Sequence, residues 1–259
     1  MSEINWKTSI TKIKPNEVRL RGYKIDELMG KITFAQAIFL ALKGELPDKN
    51  VAKLLDAMLV SSIDHGATPP SALAARTVAS TGADLNAAVA AGVLSINRFH
   101  GGAIFDCMGV LNEGLQRAVD SKQSLEYVAI ELVEVYKVAG RRIAGFGHRI
   151  HTNDPRTAKL FSMARDLGVA GSGVEMILAF QRAFEKTGKQ LPINVDGAIA
   201  ALLIDLDMPR ELANAFFIMA RVPGLVAHVY EEQTTQPPMR RIHPTNHEYD
   251  GPEERTLEE

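Results

Sequence analysis

The sequence is short of cysteine, of net charge and of long apolar runs, and each shortage excludes a class of protein. One cysteine, Cys107, in 259 residues rules out an internal disulfide framework and fits a reducing compartment. A formal net charge of −2 leaves no overall basic surface for nucleic acid. The near-apolar stretch Ala87 to Ile96 is too short to span a bilayer, and Met1 to Lys14 lacks the apolar core of a signal peptide. A soluble, cytoplasmic protein is expected, binding neither nucleic acid nor membrane. No phosphate-loop signature and no Gly-x-Ser-x-Gly elbow occurs. His148 and His151 lie three apart, and His243 and His247 four apart in a Pro-containing tail. Neither pair has a third ligand at suitable spacing, so no metal site is expected.

What is present is helical periodicity, on a chain that is 46% hydrophobic and long enough for one large or two small domains. Apolar residues recur at three and four positions from Phe34 to Leu42, before a stop at Gly44, and again from Val51 to Ile63. Ala72 to Ala79 and Ala87 to Leu94 are Ala-rich, suited to close helix packing. Leu125–Val138, Ala158–Leu167, Val174–Phe184, Ala198–Leu206 and Leu212–Ala220 continue the pattern. Val222 to Tyr230 reads as a separate helix with Pro223 in its first turn. Ile13 to Leu20 reads as one short strand. The run Ala103 to Leu111 reads as a buried helix, which makes Cys107 a core residue rather than a nucleophile. Residues 240–259 read as an extended tail. Helices apolar on most faces predict a homo-oligomer.

Three glycine-bracketed stretches carry the polar chemistry: Arg98-Phe99-His100-Gly101-Gly102-Ala103, Gly145-Phe146-Gly147-His148-Arg149 and Asn194-Val195-Asp196-Gly197. Two His and one Asp of this kind form and quench an enolate beside a carbonyl. Asp196 fits a helix N-cap; beside an apolar helix start its carboxyl is also partly desolvated, which strengthens it as a base. His100 is either a packed residue or a neutral imidazole that donates to an enolate oxygen. After His148 the chain reaches Asp154-Pro155-Arg156, an N-cap followed by Pro at the first helical position. The helix dipole disfavours a cation there, so Arg156 calls for an anion, and a ligand carboxylate would serve. His65, in Asp64-His65-Gly66, is either a cap of the preceding helix or a polar point facing a ligand. Arg221, between apolar runs, needs an anionic partner in the chain or the substrate.

In this order the stretches resemble the citrate synthase family. The likeness extends to Arg21-Gly22-Tyr23 with Asp26-Glu27-Leu28, Gly44-Glu45-Leu46-Pro47, Ser71 with Ala75-Arg76, Ser80-Thr81-Gly82-Ala83-Asp84, and Arg221-Val222-Pro223-Gly224 with Ala227-His228. It covers nearly the whole chain, which is shorter than the citrate synthases it resembles. Gly197 stands where those enzymes typically have an aromatic residue. His243, before Pro244, stands where they have an arginine that reaches a partner's active site. In both respects the chain is similar to the citrate synthase-like module of ATP-citrate lyase and to stand-alone citryl-CoA lyases. The loop from His148 to Arg156 is about one residue shorter than usual and lacks a cation at its middle.

The resemblance implies an all-α fold with a large helical domain (1–107 and 213–259), a small one (108–212), and an active site in the cleft. It implies catalytic roles for His100, His148 and Asp196. His65, Arg156, Arg221, Arg241 and His243 would hold carboxylates, with Arg240 an alternative to Arg241. The backbone of Ile143, Ala144, Gly145, Phe146 and Gly147 would receive coenzyme A, a substrate rather than a permanently bound cofactor. The implied activity is that of a citryl-CoA lyase, giving acetyl-CoA and oxaloacetate. Citrate synthase, a related acyl-CoA reaction, and a non-catalytic acyl-CoA-binding subunit are the alternatives. A homo-oligomer, dimer or tetramer, is implied, and a citryl-CoA synthetase is a candidate partner.

Overall fold

Periodic apolar residues become helices wherever capping and packing agree, and eleven α-helices are formed among the described residues of the computed structural model (6–147, 154–188, 190–240 and 250–251). The N-terminal exception is a small antiparallel sheet of β1 (Thr11–Lys14), β2 (Glu17–Leu20) and β3 (Tyr23–Lys24), in that order. Thr11 faces Leu20 and Lys14 faces Glu17. The single strand expected over Ile13–Leu20 is therefore two. The chain reverses at Pro15-Asn16, where proline fixes a negative φ and Asn16 takes the left-handed region at φ 60°.

A short helix, α1 (Ile25–Leu28), leads to α2 (Phe34–Lys43). Thr33 and Gln36 form a reciprocal capping box at the start of α2, and Gly44, at φ 89°, ends it. Arg21 donates to the carbonyl of Ala41 at 3.1 and 2.8 Å, placing a cation on the last turn of that helix. α3 (Lys49–Ser61) starts at Asp48, whose carboxylate accepts from the N–H groups of Asn50 and Val51. Then follow α4 (Pro70–Ser80), α5 (Leu85–Leu94), α6 (Ala103–Ser121), α7 (Leu125–Val138), α8 (Pro155–Asp166), α9 (Ser172–Lys186), α10 (Val195–Asp205) and α11 (Ala213–Thr235).

The chain divides into two units, residues 1–65 with 96–224, and 66–95 with 225–259. At the centre of the first, α10 buries every residue from Gly197 to Leu203 and packs against α6, α8 and α9. Cys107 lies fully buried in α6, and burial pushes its thiol well above the ordinary range, as suits a packing residue. In the second unit α4 and α5 lie close. A side chain on Gly92 would come within 3.1 Å of Ala75 Cβ and 2.9 Å of Leu225 Cδ1, so the small residues are what admit the approach.

One helix differs from expectation. Leu212–Ala220 and Val222–Tyr230 are not separate; α11 runs through Pro223 without ending. Proline costs that helix one hydrogen bond, and the side chains buried on both sides of it keep the helix intact, from Phe216, Phe217 and Ala220 to Leu225 and Val229. With the turn before it, this stretch (Arg210–Thr235) is long and apolar enough to cross a membrane. It exceeds the Ala87–Ile96 run singled out in the sequence, but buried Arg221 and Glu232 and its packed apolar residues mark it as a core helix.

Candidate active site

The start of α10 is set by Asn194 rather than by Asp196. The Asn194 side-chain oxygen accepts from the N–H of Gly197 at 3.0 Å, and its amide donates to the carbonyl of Gly147 at 2.9 Å. Its backbone N–H donates to the carbonyl of Gly145 at 3.0 Å. One residue thus caps the helix and ties it to the loop 143–147. The cap expected at Asp196 falls two residues earlier, which leaves Asp196 in the first turn with its carboxyl available to a cavity.

The loop and the helix start touch backbone to backbone. A Cβ on Gly197 would sit 2.3 Å from the carbonyl oxygen of Gly145, and one on Gly145 would sit 2.5 Å from Cys107 Sγ. Gly145 also adopts φ 90°. These glycines therefore have a reason within the chain, apart from any ligand. Phe146 pairs with Ile193 and packs edge-on against Phe184, with centroids 4.9 Å apart.

His100 precedes α6 in a tight turn, with Asn97 and His100 exchanging backbone hydrogen bonds at 2.8 and 3.0 Å. Its ring meets Phe217 edge-on at 5.6 Å. A side chain at Gly101 would meet Ile96 at 2.6 Å and Phe217 at 2.8 Å, so the glycine lets the His100 turn settle on α11. Burial lowers the His100 pKa, and the neighbouring Arg221 and His65 lower it further. Asp196 moves the opposite way: burial raises its pKa, against the attraction of Arg156 and Arg221.

The two arginines are held from behind. At the N-terminus of α8, Asp154 accepts from the N–H of Arg156 at 2.9 Å, the cap read from the sequence. Its carboxylate also takes Arg156 Nε at 3.0 Å and Nη2 at 2.8 Å. The anion that Arg156 requires is thus supplied two residues away, where a ligand carboxylate had been expected. Arg156 Nη1 reaches the carbonyl of Ser61 at 3.4 Å. Arg221, only 3% exposed, donates from Nε to the carbonyl of Ser62 at 3.1 Å and lies 4.7 Å over the Phe217 ring. Burial lowers its pKa, and Asp64 and Asp196 oppose that shift. Gly224 lets the segment after α3 lie against α11, since a Cβ there would be 2.3 Å from the carbonyl of Ile63. α3 ends at Ser61, so His65 is not its cap.

These residues meet in one cavity of about 190 Å³, lined by Ser62, His65, His100, Arg156, Asp196 and Arg221 together with Phe99 and Phe217. Five residues singled out in the sequence are there: His65, His100, Arg156, Asp196 and Arg221. His148, Arg241 and His243 lie outside the described residues. Arg240, the alternative cation, is engaged in the second unit, where Glu232 accepts from its Nε at 2.7 Å. Two larger cavities adjoin the loop 143–147. One, of about 510 Å³, is lined by Ile143, Phe146, Gly147, Phe184 and Leu191. The other, of about 740 Å³, is lined by Ala144 and Phe99 and by four arginines: Arg98, Arg141, Arg142 and Arg210. The sequence reading missed these arginines and Ser62; the adjacent Arg141-Arg142 pair just before the loop was the visible signal. No group of three or more His, Cys, Asp or Glu suited to a metal occurs among the described residues.

Comparison with known proteins fits this geometry. The family model for the C-terminal domain of citrate synthase matches residues 42–245. The chain belongs to the citrate synthase family. Among citrate synthase-family structures, citryl-CoA lyase from Hydrogenobacter thermophilus shares the fold with a TM-score of 0.88 and 44% identity, over 97% of both chains. Citrate synthase from Haloferax volcanii is 31% identical over 196 residues, 74% of this chain and 49% of that protein. The chain thus spans about half the length of that curated relative. ATP citrate lyase from Methanothrix soehngenii, solved with citrate and coenzyme A, has a TM-score of 0.82 over 98% of this chain and 43% of that one. At 23% identity it shows the fold alone. The helical citrate synthase-like fold implied by the sequence is confirmed, with a small sheet added at the N-terminus.

Proposed function

We propose that this chain is a citryl-CoA lyase, cleaving citryl-CoA to acetyl-CoA and oxaloacetate. The observation that carries the reading is one cavity holding a carboxyl of raised pKa, an imidazole of lowered pKa and two positioned guanidiniums. A base, assigned to His148, takes the proton of the citryl hydroxyl. The carbinol oxygen becomes the ketone of oxaloacetate as the carbon–carbon bond breaks, and its electron pair passes into the thioester enolate. A neutral His100 donates a hydrogen bond to the enolate oxygen, where developing charge is stabilised most. Asp196, whose desolvated carboxyl holds a proton more tightly than an exposed one, delivers it to the enolate carbon. In the reverse direction the same groups condense the two products.

Arg156, Arg221 and His65 hold the carboxylates in this reading, with Arg241 and His243 as further candidates. Coenzyme A lies along Ile143–Gly147 in this reading, and the cavity lined by Arg98, Arg141, Arg142 and Arg210, with Asp106 and Glu113, is offered for its phosphates in place of the cation missing from the middle of the His148–Arg156 loop. Phe99 and Ala103 line both that cavity and the one holding Asp196, so the two lie side by side. The helical body (1–107 with 213–259) and the insertion (108–212) are proposed as its two domains. The 44% identity to a citryl-CoA lyase along 97% of both chains supports the lyase. So does Gly197, because the Gly145 carbonyl leaves no room there for the aromatic residue typical of citrate synthases. The 31% identity to a citrate synthase favours the second reading, condensation followed by thioester hydrolysis. Release of coenzyme A from acetyl-CoA plus oxaloacetate, against oxaloacetate production from citryl-CoA, separates the two.

An assembly of copies belongs to the same proposal. Apart from Asn86, α5 is apolar, yet among its residues only Ala88 and Gly92 are buried, and Leu94 stands 78% exposed. A second copy covering α5 accounts for that surface.

A further inference from the structure

Among the described residues, four serines at the C-terminal ends of helices satisfy their own hydroxyls. Ser61, Ser80, Ser95 and Ser121, at the ends of α3, α4, α5 and α6, each donate back to a carbonyl three or four residues earlier, at 2.7 Å. Ser62 does not. Its side chain is 2% exposed, and its Oγ has no hydrogen-bond partner among the described residues. A buried hydroxyl without a partner is costly, and such groups mark places where a partner arrives from outside the chain.

The surroundings name that partner. Ser62 lines the cavity that holds His65, His100, Arg156, Asp196 and Arg221. Its own carbonyl fixes Arg221 through Nε, and the preceding carbonyl, of Ser61, receives Arg156. The end of α3 therefore orients both guanidiniums and offers a hydroxyl beside them. The Arg221 guanidinium and an unfilled donor beside it suit a carboxylate, whose two oxygens accept several hydrogen bonds.

We propose that Ser62 is a substrate-binding residue, its hydroxyl donating to a carboxylate oxygen of the oxaloacetate or citryl group held by Arg221. This rests on the lyase-family reading given above and adds a contact to it. A carboxylate remote from the breaking bond is held alike in substrate and transition state, so the contribution of Ser62 falls on affinity and little on the chemical step.

The test is calorimetric titration of the full-length wild type and Ser62→Ala with oxaloacetate, together with the kinetics of citryl-CoA cleavage and thermal melting. We expect Ser62→Ala to raise the Kd for oxaloacetate and the KM for citryl-CoA about tenfold, the effect of one hydrogen bond to a charged group. Its kcat should stay within about threefold of wild type and the melting temperature of the free protein should equal or exceed that of wild type, since a buried unpartnered hydroxyl is removed, while Ser62→Thr keeps the affinity. An unchanged Kd and KM overturns the inference, as does a lower melting temperature with affinity intact, which marks a purely structural hydroxyl. A crystal structure with oxaloacetate reads the contact directly: Oγ about 2.7 Å from a ligand oxygen supports it, and Oγ turned to water overturns it. Failure of the wild type both to bind oxaloacetate and to cleave citryl-CoA overturns the underlying reading instead, and this inference with it.

Discussion

Burial shifts Asp196 and His100 in opposite directions, and in the proposed reaction that contrast gives them different tasks. Asp196→Asn should bind oxaloacetate as wild type does but lose about 10³-fold or more in turnover, checked by titration and steady-state kinetics. The same variant should melt higher at neutral pH. A carboxyl whose folded pKa is raised keeps its proton above the ordinary value. Ionising it then costs stability, and the cost is complete above the raised pKa. The melting difference between variant and wild type should therefore grow as pH rises from the ordinary carboxylate range and vanish below it. His100 has the reverse sense: turnover falls only once pH drops through its lowered pKa, below the ordinary histidine range. Both residues were legible in the sequence because each sits between glycines or an apolar helix start. Arg156 was legible as a cation needing an anion, but a bidentate bond to Asp154 across two residues depends on a helix-start geometry that spacing alone does not specify. Ser62 was not legible, because nothing local distinguishes it from Ser61.

Packing of whole elements explains the glycines better than ligand contact does. Gly197→Ala places a methyl against the Gly145 carbonyl at 2.3 Å, with backbone on both sides and nothing free to move aside. It should cost about 1–3 kcal/mol in chemical denaturation and lower turnover by displacing Asp196 from the cavity. In the second unit, Glu232 on α11 is 2% exposed, accepts from Arg76 Nε at 2.6 Å and is clasped by Arg240. Arg240, then Arg76, hold its carboxyl below the ordinary range against the effect of burial. Glu232→Gln should destabilise by about 3 kcal/mol, since two guanidiniums lose their anion. A depressed carboxyl contributes stability above its ordinary pKa and loses it as pH falls through the folded value. The melting gap between this variant and wild type should accordingly close in acid. Most helices were legible from apolar spacing, and the stop at Gly44 after α2 and the Asp154 cap of α8 matched the structure. The break expected within α11 failed because side chains buried on both sides of Pro223 outweigh one missing hydrogen bond. The hairpin reads as one strand because its arms are four residues each, and the change of phase from Ile13 to Val18 and Leu20 across Pro15-Asn16 is the local mark of the turn.

For the molecule as a whole, the order of motifs along the chain carried the family, and the fold followed from it. The proposed assembly of copies rests only on excess apolar helix surface. Light scattering should give at least a dimer, and Leu94→Glu, on exposed α5, should shift it towards the monomer with helical content retained. The distinction between lyase and synthase turns on what happens to the thioester, which no single side chain in the cavity declares. The measurement that tests the central claim most directly supplies the pure protein with citryl-CoA, follows oxaloacetate through coupled malate dehydrogenase, and in parallel follows free thiol from acetyl-CoA plus oxaloacetate. Rapid oxaloacetate formation with little thiol release is the predicted result. Sustained thiol release in the second arm would contradict the lyase and make the chain a citrate synthase, and silence in both would contradict both and leave a related acyl-CoA reaction or a binding subunit.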